Sequence, residues 1–415
     1  MPKHRNVLDR RRFLQASAAA ALAGLLAACG QSVGRLTASP SPGQIKTPGL
    51  ATQTPTSSPT ASPMATYGEP FQSPFESVPP TGTEVPPAET APPTPTPTPP
   101  PTPFPAGAPT KLGLFVEWYH PQIMKLIATG NVAVLKTLEF DPAFLADVKA
   151  TSPETIIVGR ATHAQLNLNQ PDLLAEARRA VEAVLPLALD ERRIGLVDAW
   201  EGFNEPVPGD EEQMRRLAEL EAERVRLLSE NGLRAVVGNF GTGQPPLEWW
   251  PAFRLALEAT QAHQGYLGLH EYSAPTMWEQ TTRPPFDYNA DRADEGWLTL
   301  RYRKVYREYL NPWGLRLPLL ITECGVDGMV GNRPGPPGKG WKDFAAYWAE
   351  LGMGWDTPGN YVEQLAWYDQ ELQLDDYVHG AAIFAMTAFQ EWESYQLQGE
   401  AASILKQYLS VHPLR

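Results

Sequence analysis

The sequence predicts a parallel α/β fold, a (β/α)8 barrel, and three observations carry that expectation. Short, near-continuously apolar runs alternate with longer stretches of helical periodicity, the order that builds a parallel sheet covered on both faces. There are eight such runs, and eight strands is the closure number of this barrel. The residues from 111 to 415, about 305 of the 415, are enough for one large core and too few for two comfortable enzyme-sized domains. The alternative is an open doubly wound sheet. That fold would need a glycine-rich phosphate loop after an early strand, and "FVEWYHP" from Phe115 contains none.

The runs follow in order: "LGLFVEW" from Leu112, "VAVLKTL" from Val132, "TIIVGRA" from Thr155 and "LVDAWEGF" from Leu196. Then come "RAVVGNF" from Arg234, "GYLGLHEY" from Gly265, "LPLLITE" from Leu317 and "GAAIFAM" from Gly380. Two helices are clearest between them. "QPDLLAEARRAVEAVLPLAL" from Gln170 and "DEEQMRRLAELEAERVRLLSENG" from Asp210 place apolar residues at steps of three and four. The second opens on acids and closes at Asn231-Gly232, which suits the helix dipole and a glycine stop.

The first 110 residues read differently. "DRRRFLQ" (Asp9 to Gln15) precedes the apolar "ASAAAALAGLLAAC", a basic-then-apolar order that describes an export signal, too short and alanine-rich for a comfortable transmembrane helix. Residues 30–110 are Pro, Thr, Ser and Ala, with 22 of the 43 prolines between Gln31 and Thr110. Such a composition cannot bury enough apolar area to offset ordering entropy, so a disordered or polyproline-like spacer is expected. The barrel is then residues 111–415. Net charge is −13, the wrong sign for a phosphate-binding surface, so nucleic acid is not an expected partner. The two cysteines, Cys29 and Cys324, are not expected to pair; an exported chain without a disulfide must be held by its core.

In a barrel, chemistry gathers at the C-terminal ends of the strands. Here those ends carry Glu117, Trp118, Tyr119 and His120, then Glu139, then Arg160 and His163. Strand four ends in Asn204 and Glu205, strand five in Asn239, strand six in His270, Glu271 and Tyr272, and strand seven in Glu323. A barrel serving only as bulk has no need of such a polar ring.

"FNEP" on strand four and "ITECG" on strand seven resemble the clan A glycoside hydrolases, retaining (β/α)8 enzymes. That resemblance implies Glu205 as general acid/base and Glu323 as nucleophile. "LHEYSAP" is similar to that superfamily's His-x-Tyr on strand six, implying site roles for His270 and Tyr272. The twin arginines before Phe13-Leu14 resemble the twin-arginine signal, and "LAAC" (Leu26 to Cys29) is similar to the lipobox of bacterial lipoproteins. The latter implies acylation of Cys29 and a lipid anchor at the cell surface.

The chemistry fits those roles. Retaining hydrolysis needs two carboxyl groups about 5–5.5 Å apart, one holding a proton and one ionised. Tyr272 and Arg160 would stabilise the ionised one, and Asn204 can bond a sugar 2-OH. Pyranose faces stack on flat rings, so Trp118, Trp249, Trp250, Trp278, Trp341 and Trp392 are candidates for the cleft, with Trp118, Trp278 and Trp392 favoured. The superfamily often keeps a tryptophan at the end of strand eight; here "IFAMTAF" offers Phe384 or Phe389 instead. The stretch "VDGMVGNRPGPPGKGW" after strand seven reads as a mobile rim loop or lid.

Rival readings stand beside these. Glu205 could start a helix, Glu323 could be a loop acid, Arg160 could pair with Glu139, and Asp198 and Glu201 need basic partners that the sequence does not name. No His-x-x-x-His, cysteine cluster, Walker loop or Gly-x-Ser-x-Gly appears, so neither a metal nor a cofactor is expected. The expected activity is retaining cleavage of β-linked oligo- or polysaccharides by a monomeric barrel. The alternatives are a carbohydrate-binding protein that does not cut, and a structural envelope protein on a stalk.

Overall fold

The computed structural model describes residues 104–161, 165–279, 294–331, 333–354 and 356–414. The export signal, Cys29, most of the expected spacer and His163 lie outside them. Among the described residues no helix is long and apolar enough to cross a membrane.

Each of the eight apolar runs forms a strand: β1 (Leu112–Val116), β2 (Val134–Thr137), β3 (Ile156–Gly159), β4 (Ala199–Glu201), β5 (Ala235–Phe240), β6 (Tyr266–Ser273), β7 (Leu319–Val326) and β8 (Val378–Thr387). They pair in sequence order, all parallel, and β8 returns to β1 through Leu112↔Ala381 and Leu114↔Ile383. The sheet is therefore a closed (β/α)8 barrel, as the alternation implied. The surrounding helices are α1 (Pro121–Ile127), α2 (Pro142–Thr151), α3 (Leu173–Ala188), α4 (Glu211–Glu230), α5 (Trp250–Ala262), α6 (Tyr302–Val305), α7 (Ala345–Glu350), α8 (Thr357–Leu372) and α9 (Glu400–Ser410).

The period-2 rule explains why apolar runs make this shape. On β1, Leu112, Leu114 and Val116 face the helices, while Phe115 faces the barrel axis with Val134, Val158, Ala199, Val236, Tyr266, Leu320 and Ala382. Two cores result, one between sheet and helices and one inside the barrel. Each fully buried apolar side chain contributes roughly 1.5–3 kcal/mol by leaving water. Helix starts are fixed locally: Asp141, Asp172 and Asp210 each cap a helix by accepting backbone N–H bonds, and α4 stops at Asn231 before Gly232 at φ 71°.

Two ion pairs, one buried and one half-buried, help tie helices to strands. Arg224 on α4 bonds Glu221 and donates to the carbonyls of Trp200 and Val236. Asp198 pairs with Lys149 at 2.6 Å and accepts from the Ile157 N–H, which supplies the partner the sequence left unnamed. It sits at the start of β4, far along the strand from the chemistry.

The chain is already packed before residue 111. The Phe104 ring meets Tyr408 edge-on at 5.2 Å, the Gly107 N–H donates to Val411 O, and Thr110 is buried. Asp369 on α8 accepts from the Lys111 N–H and the Tyr408 hydroxyl. Residues 104–110, expected in the spacer, thus pack against the barrel; the proline-rich composition hid one aromatic anchor.

Candidate active site

The same alternation that buries the strand bodies carries polar side chains to the mouth. Two residues beyond inward Phe115 comes Glu117; beyond Val134, Lys136; beyond Val158, Arg160; beyond Ala199, Glu201; beyond Tyr266 and Gly268, His270 and Tyr272. On β7 the register slips by one residue, so that Leu269↔Ile321 is followed by His270↔Glu323. This bulge turns Glu323 into the mouth while Cys324 remains in the outer core.

Glu205 and Glu323 converge. One oxygen from each carboxyl and one ring nitrogen of His270 all lie within 4.8 Å of one another. His270 Nδ1 is 2.8 Å from Glu205 Oε1 and 3.5 Å from Glu323 Oε2. The imidazole can therefore donate to a Glu205 carboxylate or accept from its carboxylic acid. The environments differ: the Glu205 side chain is 30% exposed and the Glu323 side chain 8%.

Glu323 is held on both oxygens. Lys136 Nζ lies 2.8 Å and Arg160 3.3 Å from Oε1, and the Tyr272 hydroxyl donates to Oε2 at 2.7 Å. Burial alone would push this carboxyl up. The fields of His270, Lys136 and Arg160, with the Lys136 hydrogen bond, overrule burial and hold it well below the usual carboxylate range. Burial, and then the charge of Glu323, push the Tyr272 phenol far up, so it stays a donor.

Lys136 is fully buried and also meets Glu201 at 3.0 Å. Arg160 stands 4.0 Å from the same Glu201. Two cations and two carboxylates thus form one neutral quartet under the mouth, and Glu201 gains its partner. Lys136 was missed in the sequence because it sits inside the apolar run "VAVLKTL". Its phase, two residues after an inward valine, was the available signal.

Asn204 accepts a hydrogen bond from Arg160, which settles Arg160 as inward rather than paired with Glu139. The Glu205 backbone is left-handed at φ 43° and its N–H donates to Asn239 O at 3.1 Å; Asn239 itself has φ 48°. Non-glycine residues in this region are uncommon and cluster at functional sites. Gly241 closes the space behind Glu205: a Cβ there would stand 3.2 Å from its carboxyl. Gly241→Ala should consequently press the Glu205 carboxyl a few tenths of an ångström toward the mouth, with Tm nearly unchanged; a crystal structure of the variant checks it. An unmoved Glu205 carboxyl in that variant would show that Gly241 does not set its place.

Several expected residues lie elsewhere. His120 caps α1, Glu139 accepts from Asp141 N in the following turn, and Tyr119 packs on Phe144. Glu271 points out of the barrel, where Leu300 N, Tyr302 N and Tyr368 donate to it; burial, against those bonds, pushes it up to about 7. Trp250 is buried against Phe253, Trp341 stacks on Tyr361, and Trp278, 9% exposed, packs edge-on against Trp367 of α8. Trp118 sits against Phe389 and Trp392 against Phe384 and Tyr395, both beside the mouth. The rim loop is fastened rather than loose. Asp327 bridges Gly340, Gly328 N donates to Lys339 O, and Arg333 donates to the carbonyls of Gly328, Pro334 and Pro336.

The trio of Glu205, His270 and Glu323 has the spacing of a cation site, but Lys136 and Arg160 already supply positive charge to Glu323 and oppose one. Fold and site together define a (β/α)8 barrel with a paired-carboxylate mouth. No protein-family model and no curated protein sequence matches this chain. Among solved structures it is similar to a β-glucuronidase from Ruminococcus gnavus, at 13% identity and a TM-score of 0.43 over 72% of this chain; the chain spans 50% of that one. It is also similar to endo-β-1,3-glucanases of GH128 subgroup II. The one from Sorangium cellulosum shows 17% identity and a TM-score of 0.42, over 74% of this chain and 100% of that one. The one from Pseudomonas viridiflava shows 16% identity and a TM-score of 0.38, over 72% and 97%.

Proposed function

We propose that this barrel is a retaining glycoside hydrolase acting on β-linked sugars. The observation that carries the reading is the convergence of Glu205 and Glu323 within 4.8 Å in unlike surroundings, one half-open and one ringed by cations. Facing carboxyls at this spacing suit double displacement, whereas an inverting pair must leave room for a water.

In the first step ionised Glu323 attacks the anomeric carbon, the glycosidic C–O bond breaks, and Glu205 gives its proton to the departing oxygen. In the second step water attacks the anomeric carbon of the glycosyl–Glu323 ester and passes a proton to Glu205, and the bond from that carbon to the Glu323 oxygen breaks to return the carboxylate. His270 accompanies Glu205 through both protonation states. Lys136, Arg160 and Tyr272 keep Glu323 ionised and aimed. With its Oδ1 held by Arg160, Asn204 presents its amide N–H2 to the sugar 2-OH.

The test is a panel of aryl β-glycosides and β-linked oligosaccharides, with the first-formed anomer followed by proton NMR. The β anomer should appear first and mutarotate afterwards. An initial α anomer would replace the retaining mechanism with an inverting one. Binding of an oligosaccharide with no cleavage across the panel would favour the non-cutting carbohydrate-binding protein. Our reading also places the barrel outside the cell on a lipid anchor at Cys29, where polymers too large to import are met. Protein extracted from membranes should carry a diacylglyceryl mass on Cys29; an unmodified thiol there removes the anchor.

A further inference from the structure

One carboxyl at the mouth has no part in the two-glutamate reaction. Glu117 follows inward Phe115 by two residues and so faces the barrel axis. Its backbone is fixed, because the Thr387 hydroxyl on β8 takes the N–H groups of both Glu117 and Trp118. Its Oε2 is buried with no hydrogen-bond partner among the described residues. An acceptor left so is costly unless something bonds it. Its neighbours in the field are Arg160, Glu323, the Phe389 backbone N–H and Glu391. The adjoining Trp118 ring lies 5.4 Å from Phe389, giving a flat apolar face beside the carboxyl.

Charge sharpens the picture. Lys136 and Arg160 are engaged with Glu201 and Glu323. An arriving anionic sugar would meet Glu117, Glu205 and Glu323 beside two cations that are already paired, and like charges in a half-buried site repel strongly.

We propose that Glu117 sets the substrate class of this mouth: its carboxyl bonds ring hydroxyls of a neutral sugar and turns away sugars that bear a carboxylate. Burial pushes the group up to about 7, against the pull of Arg160, so that below this pH it also donates to hydroxyls and above it, as a carboxylate, it accepts from them and repels a uronate. The inference rests on the glycosidase reading for where the sugar sits, and not on whether the sugar is cut.

The experiment uses the full-length chain and non-hydrolysable phenyl 1-thio-β-D-glucoside, galactoside and xyloside, with the matching thio-glucuronide and thio-galacturonide. Calorimetry gives Kd for wild type, Glu117→Gln and Glu117→Ala, and kcat/KM on the oxygen-linked nitrophenyl analogues is read in parallel. Wild type should bind a neutral glycoside at least about tenfold tighter than its uronide. Glu117→Gln should close that ratio by about tenfold, mainly by admitting the uronide, and Glu117→Ala should weaken the neutral ligand by about tenfold. A purely structural Glu117 would shift Tm and leave the ratio alone. Equal wild-type affinity for neutral and uronic partners, or an unchanged ratio in Glu117→Gln, overturns the proposal; the wild-type ratio decides even if the variants fail to fold. A shifted ratio with no turnover keeps Glu117 and removes the hydrolase, turnover with an unmoved ratio does the reverse, and no binding of any glycoside ends both.

Discussion

Glu323→Ala should lose turnover of aryl β-glycosides by roughly ten-thousand-fold or more, and millimolar azide should restore part of it as a glycosyl azide of inverted configuration. The size follows from the role. Every contact around Glu323 stabilises its charged form: Lys136 and Arg160 on one oxygen, Tyr272 on the other. Removing the carboxylate deletes the bond-forming atom and leaves Glu205 with nothing to complete. The small side chain opens a hollow between two cations, where a small anion is well received. Rescue by azide distinguishes a lost nucleophile from a collapsed site. Folding should survive, because the deleted charge leaves Lys136 with Glu201 and Arg160 with Asn204. Activity within tenfold of wild type in this variant would exclude Glu323 as nucleophile.

Lys136→Met should be the most destabilising single change at the site, by about 3–5 kcal/mol in unfolding free energy. The side chain fits a similar volume, so the loss is electrostatic. Glu201 and Glu323 would be left buried with only Arg160 between them, at 4.0 and 3.3 Å. The sign of the accompanying pH effect follows from the folded-state shift. Glu323 is held low when folded, so its contribution to stability is present above the unfolded carboxyl value near 4.5 and is lost as pH falls through the folded value. Without Lys136 the folded value rises, and the acidic limb of kcat/KM should move to higher pH. A rate profile that keeps its acidic limb in Lys136→Met would show that the lysine supports the fold and not the nucleophile. Arg160→Met, which removes a cation less buried than Lys136, should give the same direction with a smaller loss of Tm.

The barrel was legible because parallel strands covered on both faces must be apolar throughout, and runs such as "RAVVGNF" and "LPLLITE" announce it. Glu205 and Glu323 were legible for the converse reason: a carboxyl closing an apolar strand needs a purpose. Lys136 was hidden by the same apolar context, since one charge in a hydrophobic run reads as noise unless its phase is followed. Glu201 carried the complementary sign in the same phase, and the two together were the signal. The contact of Trp278 with Trp367 could not be read from sequence, because it joins positions some ninety residues apart. The rim loop misled by composition. Glycine and proline suggested motion, while Arg333 holds three carbonyls of that loop with one guanidinium.

The central claim is that Glu323 forms a bond to sugar. A 2-deoxy-2-fluoro β-glycoside with a good leaving group, incubated with the full-length protein, should inactivate it with release of one leaving group per chain. Peptide mass mapping should then find the fluoroglycosyl ester on Glu323. An ester on any other residue, or a burst of leaving group with no covalent adduct, would contradict the account.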